Sequence, residues 1–166
     1  MFLDPNMRND ASRADNRDRQ CGPCTACCDG WLKIEVYGHQ VDRGKPCPFS
    51  SGHCCTIYPT RPQDPCREFI CGWLARNSPL PEWMRPDKSN LILLASNFTW
   101  RGLPVDVAVP VGDRPRTKAL DWLKRFAAGR RRLLLYRSFE DWHAFGPPAF
   151  QAEMRERISR GEKPWK

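Results

Sequence analysis

Cys21-Gly22-Pro23-Cys24-Thr25-Ala26-Cys27-Cys28 places four cysteines within eight residues, and all nine cysteines of this 166-residue chain lie between Cys21 and Cys71. The others are Cys47, which precedes Pro48, the adjacent pair Cys54-Cys55, then Cys66 and Cys71. Disulfides, zinc and an iron-sulfur cluster are the chemistries open to such a stretch. An odd count fits disulfides poorly. The polar start of the chain, in which Asp, Asn and Arg alternate, is not that of a secretory signal, which predicts a cytoplasmic protein whose cysteines bind metal. If residues 22–28 are helical, steps of about 100° bring all four sulfurs into an arc of about 120°. Adjacent Cys27 and Cys28 then reach a multi-iron cluster, or two neighbouring sites, more comfortably than one ion.

Outward from this stretch, residues 1–20 read as a flexible polar arm with too few large apolar groups to order it. Residues 21–78 form the cysteine-rich region. In it, Trp31 to Tyr37 predicts a strand ended by Gly38, and residues 38–66, rich in Gly, Pro, Ser and Cys, predict little regular structure. Metal ligation would have to order such a loop, and structural zinc contributes on the order of 10 kcal/mol to small domains. His39 and His53 lie outside any tight ligand spacing and read as exposed loop histidines.

Residues 79–166 change character. Asn90 to Ala95 predicts a buried strand, and Leu103 to Val109 a second, joined to it through a turn near Arg101-Gly102. A helix is expected from about Pro115 to Ala128, with Ala119, Leu120, Leu123, Phe126 and Ala127 on one face and Gly129 as its stop. Leu133 to Tyr136 predicts a third strand. Ser138 reads as the cap of a short helix with Glu140 and Asp141 in its first turn, ended by Gly146-Pro147-Pro148. A last helix places Phe150, Met154 and Ile158 four apart. The fold class is therefore α+β: an irregular cysteine-rich metal-binding subdomain followed by a small mixed sheet with helices, the two packed as one domain.

The net charge of +8 is uneven: residues 1–71 carry nine basic and nine acidic side chains, and the remainder carries the excess. A basic half predicts either a polyanion partner or compensation for a metal-thiolate centre of about −2 charge. Arg130-Arg131-Arg132 is the polyanion candidate, without a stacking motif, finger-type spacing or recognition helix beside it. No stretch approaches the roughly 20 apolar residues of a membrane span. No phosphate loop, nucleophile elbow or His-Glu-x-x-His sequence is present.

Taken together, Cys21-x-x-Cys24-x-x-Cys27-Cys28, Cys47-Pro48, Cys55-Thr56-Ile57-Tyr58, Arg61-Pro62 and Cys66-Arg67-Glu68-Phe69 resemble the YkgJ-type cysteine-cluster family. That family is described as chelating zinc or iron, and its relatives include flagellin lysine N-methylase. The resemblance covers residues 21–74 and implies Cys21, Cys24, Cys27, Cys28, Cys47, Cys55 and Cys66 as ligands. Cys71 joins them because the run through Cys71-Gly72-Trp73-Leu74 looks like a variant of the pattern. Two departures stand out: three residues rather than two separate Pro62 from Cys66, and Cys54 has no counterpart, which makes it the bystander. Eight ligands divide evenly into two four-thiolate sites. The expected cofactor is an iron-sulfur cluster or Zn²⁺. Arg61 and Arg67 are expected to donate to sulfur or backbone carbonyls, with Tyr58, Phe69, Trp73 and Leu74 shielding the metal. An N-methylase-like enzyme and a nucleic-acid-binding zinc protein are the alternatives. The residues beyond the cysteines show no nucleotide or cosubstrate signature, so the methylase activity does not carry over with the resemblance, and no protein partner is identified.

Overall fold

The computed structural model describes residues 19–94 and 98–164. Most of the expected polar arm, residues 1–18, and Ala95 at the end of the first predicted strand lie outside the described residues.

The chain begins with a small hairpin, β1 (Ile34–Val36) and β2 (His39–Val41). Its two-residue turn, Tyr37-Gly38, has φ of 48° and 78°, the doubly positive geometry that suits the twist of a tight hairpin. The larger sheet follows: β3 (Leu91–Leu94), β4 (Thr99–Trp100), β5 (Leu103–Pro110), β6 (Leu133–Ser138) and β7 (Asp141–Phe145). Its order is β3-β5-β6-β7, with β4 also on β5. The sheet is mixed. β5 and β6 run parallel, joined by helix α2 (Thr117–Gly129), and the other pairs are antiparallel. A four-residue helical turn, Pro86–Ser89, precedes β3, and helix α3 (Pro148–Ser159) follows β7. The architecture is α+β.

Alternation along the strands explains how both faces are covered. Leu91, Ala108 and Leu134 meet Ala119, Leu123 and Ala127 of α2, together with Trp73, Leu80 and Met84. On the opposite face Val105, Val107, Leu133 and Leu135 meet Phe150 and Met154 of α3. Further along that face, Ile92 and Val109 pack on Ala26 and Leu32 from the cysteine-rich region. The cysteine-rich region therefore reaches both sides of edge strand β3 and shares the sheet's core.

Three sequence expectations change. Residues 22–28 form hydrogen-bonded turns rather than a helix, with Cys24 N donating to Cys21 O (2.9 Å) and Cys28 N to Thr25 O (2.7 Å). Gly22 at φ 53° starts the first turn left-handed, out of helical geometry. The Arg101-Gly102 turn joins β4 to β5, so the first predicted strand pairs with β5 without being its direct hairpin partner. Residues 141–145 form β7 rather than a helix, in a hairpin whose loop is Phe139-Glu140. Trp142 and Ala144 pack toward α3, while His143 stacks on Tyr136 and Phe145 joins the α2 side. Trp142 and Ala144 turn to one side and His143 and Phe145 to the other, the period-two alternation of a strand.

Candidate metal centre

Hydrogen bonds in the loops bring distant cysteines together. Asp29 accepts from the Thr25 hydroxyl (2.9 Å) and the Ser50 hydroxyl (3.3 Å), tying the first cysteine turn to the Cys47–Cys55 loop. Cys47 N donates to Cys28 O at 2.8 Å, so these two residues sit side by side although 19 positions apart. Gly30, at φ 90°, lets the chain pass Asp42 closely: a Cβ there would stand 2.4 Å from Asp42 O. Cys66 arrives on an irregular helical turn, Gln63–Arg67, with a cis Asp64–Pro65 peptide bond. Cys71 is held at the sheet by a bridge to Leu94, and Gly72 N donates to Leu93 O at 2.6 Å.

Seven of the eight expected ligands fall into two groups. Cys21, Cys24, Cys27 and Cys71 line one cavity of about 30 Å³, walled by Phe69, Trp73, Leu74 and Ile92. Cys28, Cys47 and Cys66 share a second apolar cluster with Ile34, Val36, Val41 and Phe49. Cys55 is half-buried and bridges to Ser50, whose N–H donates to Cys47 O at 3.0 Å, so it sits in the same loop as Cys47. The vicinal pair joins the groups, with Cys27 and Cys28 Sγ atoms 3.9 Å apart. Cys54 is exposed and faces the Ser51 hydroxyl (3.4 Å), outside both groups.

Burial pushes up the thiols of Cys21, Cys24, Cys47, Cys66 and Cys71, with neighbouring cysteines adding to the rise. In the vicinal pair the shared hydrogen bond sets opposite directions, raising Cys27 and lowering Cys28. Cys28 is the first thiolate of that pair to form. Among the described residues, no three Cys, His, Asp or Glu side chains stand at the mutual spacing of a bound ion. Soft donors in fours suit Zn²⁺ or an iron-sulfur cluster.

The surrounding residues divide between expectation and surprise. Arg67 donates to the Arg61 and Pro59 carbonyls (3.0 and 2.7 Å), and Arg61 donates to Tyr58 O (2.6 Å) while stacking on the Tyr58 ring at 3.7 Å. Both arginines thus serve backbone carbonyls. Arg61 also lowers Cys21 and Cys66, one thiol of each group. Phe69, Trp73 and Leu74 do wall the first cavity; Tyr58 is 43 % exposed and shields neither group. His39 is exposed against Phe49, and His53 is exposed in its loop.

Sequence reasoning missed Arg19, Pro86 and Gly72. Arg19 donates to the Trp73 and Leu80 carbonyls (2.8 and 2.9 Å), so the end of the expected arm is anchored beside the first cavity. Pro86 contributes to the cavity wall, and the Asp87 backbone hydrogen-bonds Cys24. Gly72 leaves no room for a side chain, because a Cβ would meet Leu93 at 2.9 Å. Only the small residue itself hints at this. In the basic run, Arg132 is clamped to Asp106 by two bonds of 2.7 Å, and Arg130 lies over Phe126. No helix among the described residues is long and apolar enough to cross a membrane.

No family model, curated protein or solved structure matches the chain. The likeness to the YkgJ-type family rests on the residues quoted for it alone.

Proposed function

We propose that the chain is a metal-binding protein with two neighbouring four-thiolate sites, one from Cys21, Cys24, Cys27 and Cys71 and the other from Cys28, Cys47, Cys55 and Cys66. The observation that carries this reading is the grouping itself: Cys21, Cys24, Cys27 and Cys71, up to 50 residues apart, line one cavity, Cys28, Cys47 and Cys66 share an apolar cluster, and Cys54 is exposed. Each set would hold Zn²⁺ or an iron-sulfur cluster through thiolates. Bound metal would supply the cross-links that the irregular 38–66 segment otherwise lacks. The adjacent Cys27 and Cys28 assign one donor to each site, which resolves the awkward geometry of two neighbouring residues reaching one ion.

Anaerobic purification followed by metal and sulfide analysis and an absorption spectrum tests the reading. Two zinc ions per chain, or iron with sulfide and a visible charge-transfer band, supports it. A chain purified and reconstituted without stoichiometric metal sinks it.

A further inference from the structure

We propose that the Trp73 indole N–H donates a hydrogen bond to a thiolate or cluster sulfur of the first site when that site is loaded, making Trp73 a positioning and tuning residue for the metal. This deepens the metal-binding reading and rests on it. Trp73 is 4 % exposed and borders the cavity lined by Cys21, Cys24, Cys27 and Cys71. Its Nε1 is buried and meets no acceptor among the described residues. A buried N–H without a partner is costly and calls for an explanation.

The rest of the ring is occupied. The Arg19 guanidinium lies 4.6 Å and that of Arg85 5.9 Å from its centroid. Arg19 also donates to the Trp73 carbonyl at 2.8 Å. The ring is therefore held at the wall of a thiol cavity, and its one polar atom is buried without an acceptor among the described residues. Neutral thiols are weak hydrogen-bond acceptors. Metal binding converts them to thiolates, whose charge makes them much better acceptors. The bond thus forms on loading, withdraws electron density from the accepting sulfur and orients its ligand.

The test is an anaerobic titration of ¹⁵N-labelled full-length protein with Cd²⁺, followed at the Trp73 indole resonance and assigned through its own side-chain correlations. On loading, that resonance should move downfield, and its hydrogen should exchange with solvent about tenfold more slowly, the factor expected of one hydrogen bond. Trp73→Phe keeps the apolar wall and removes the donor, and should hold Cd²⁺ about tenfold more weakly against a competing chelator. Bound Cd²⁺ that is lost in Cys24→Ser, together with an unmoved indole resonance, overturns the hydrogen bond while leaving the metal site standing. A chain that binds no Cd²⁺ at all overturns both. The indole signal of the unmodified protein decides the question even if Trp73→Phe does not fold.

Discussion

Exchanging one cysteine for serine replaces a soft donor with a hard hydroxyl, so the nine positions should not respond alike. Cys24→Ser is expected to empty the first site and leave the second loaded, and Cys66→Ser the reverse, as read by metal content per chain. Cys54→Ser should retain the full content, because its side chain faces Ser51 and solvent. Loss of metal in Cys54→Ser equal to that in the other two would refute the grouping. Two glycines offer a test of the scaffold instead. Gly30→Ala drives a Cβ onto the Asp42 carbonyl, and Gly72→Ala drives one onto Leu93. Each should cost about 1–3 kcal/mol in urea unfolding, with Gly30→Ala the worse because backbone cannot move aside as a side chain can. The sequence marked eight cysteines as candidate ligands through spacing and resemblance. Which four belong together was not legible, since the return of Cys47 to Cys28 and of Cys71 to β3 is decided by loop hydrogen bonds between distant residues.

Among the elements, those with strong periodicity were readable. The apolar runs of β3 and β6, the alternation of β5, and the apolar faces of α2 and α3 all stand close to where the sequence placed them. β7 was hidden because Ser138, Glu140 and Asp141 imitate the start of a helix, while the four residues Trp142 to Phe145 are too short a run to show a strand's alternation clearly. The cysteine turns were hidden for another reason: four sulfurs on a helical arc is an economical arrangement for one cluster, whereas two spaces need the chain to turn between them. Phe150→Ala tests how α3 is attached. Phe150 is fully buried against Trp100, Val105 and Leu133. Its truncation should destabilise the fold by about 3–5 kcal/mol in denaturant unfolding. A cost below about 1 kcal/mol would show that α3 is dispensable to the sheet.

At the scale of the whole molecule, the thiols couple stability to pH. Cys21, Cys24, Cys47, Cys66 and Cys71 are raised above the ordinary thiol value by burial, so the folded chain binds their protons more tightly than the unfolded chain does. For the metal-free protein this stability is complete below the ordinary thiol range and is lost as pH rises through the raised native values. Thermal unfolding of chelator-treated protein should therefore weaken in alkali. The metal-loaded form, with its thiolates already ionised and paired, should not. Loading itself releases protons, so apparent affinity should climb with pH across the neutral range. Equal alkaline sensitivity of the two forms would refute this linkage. Within the basic half, Arg132 is paired with Asp106 and is not a free surface cation.

The bridge between Cys71 and Leu94, with Gly72 donating to Leu93, has a consequence for what happens when metal is scarce. These few contacts are what cover the outer margin of β3, and the residue that makes the bridge is also a proposed ligand. A chain starved of its ion would have less to keep that margin covered, and an uncovered strand is a template for a second copy or a foothold for a protease.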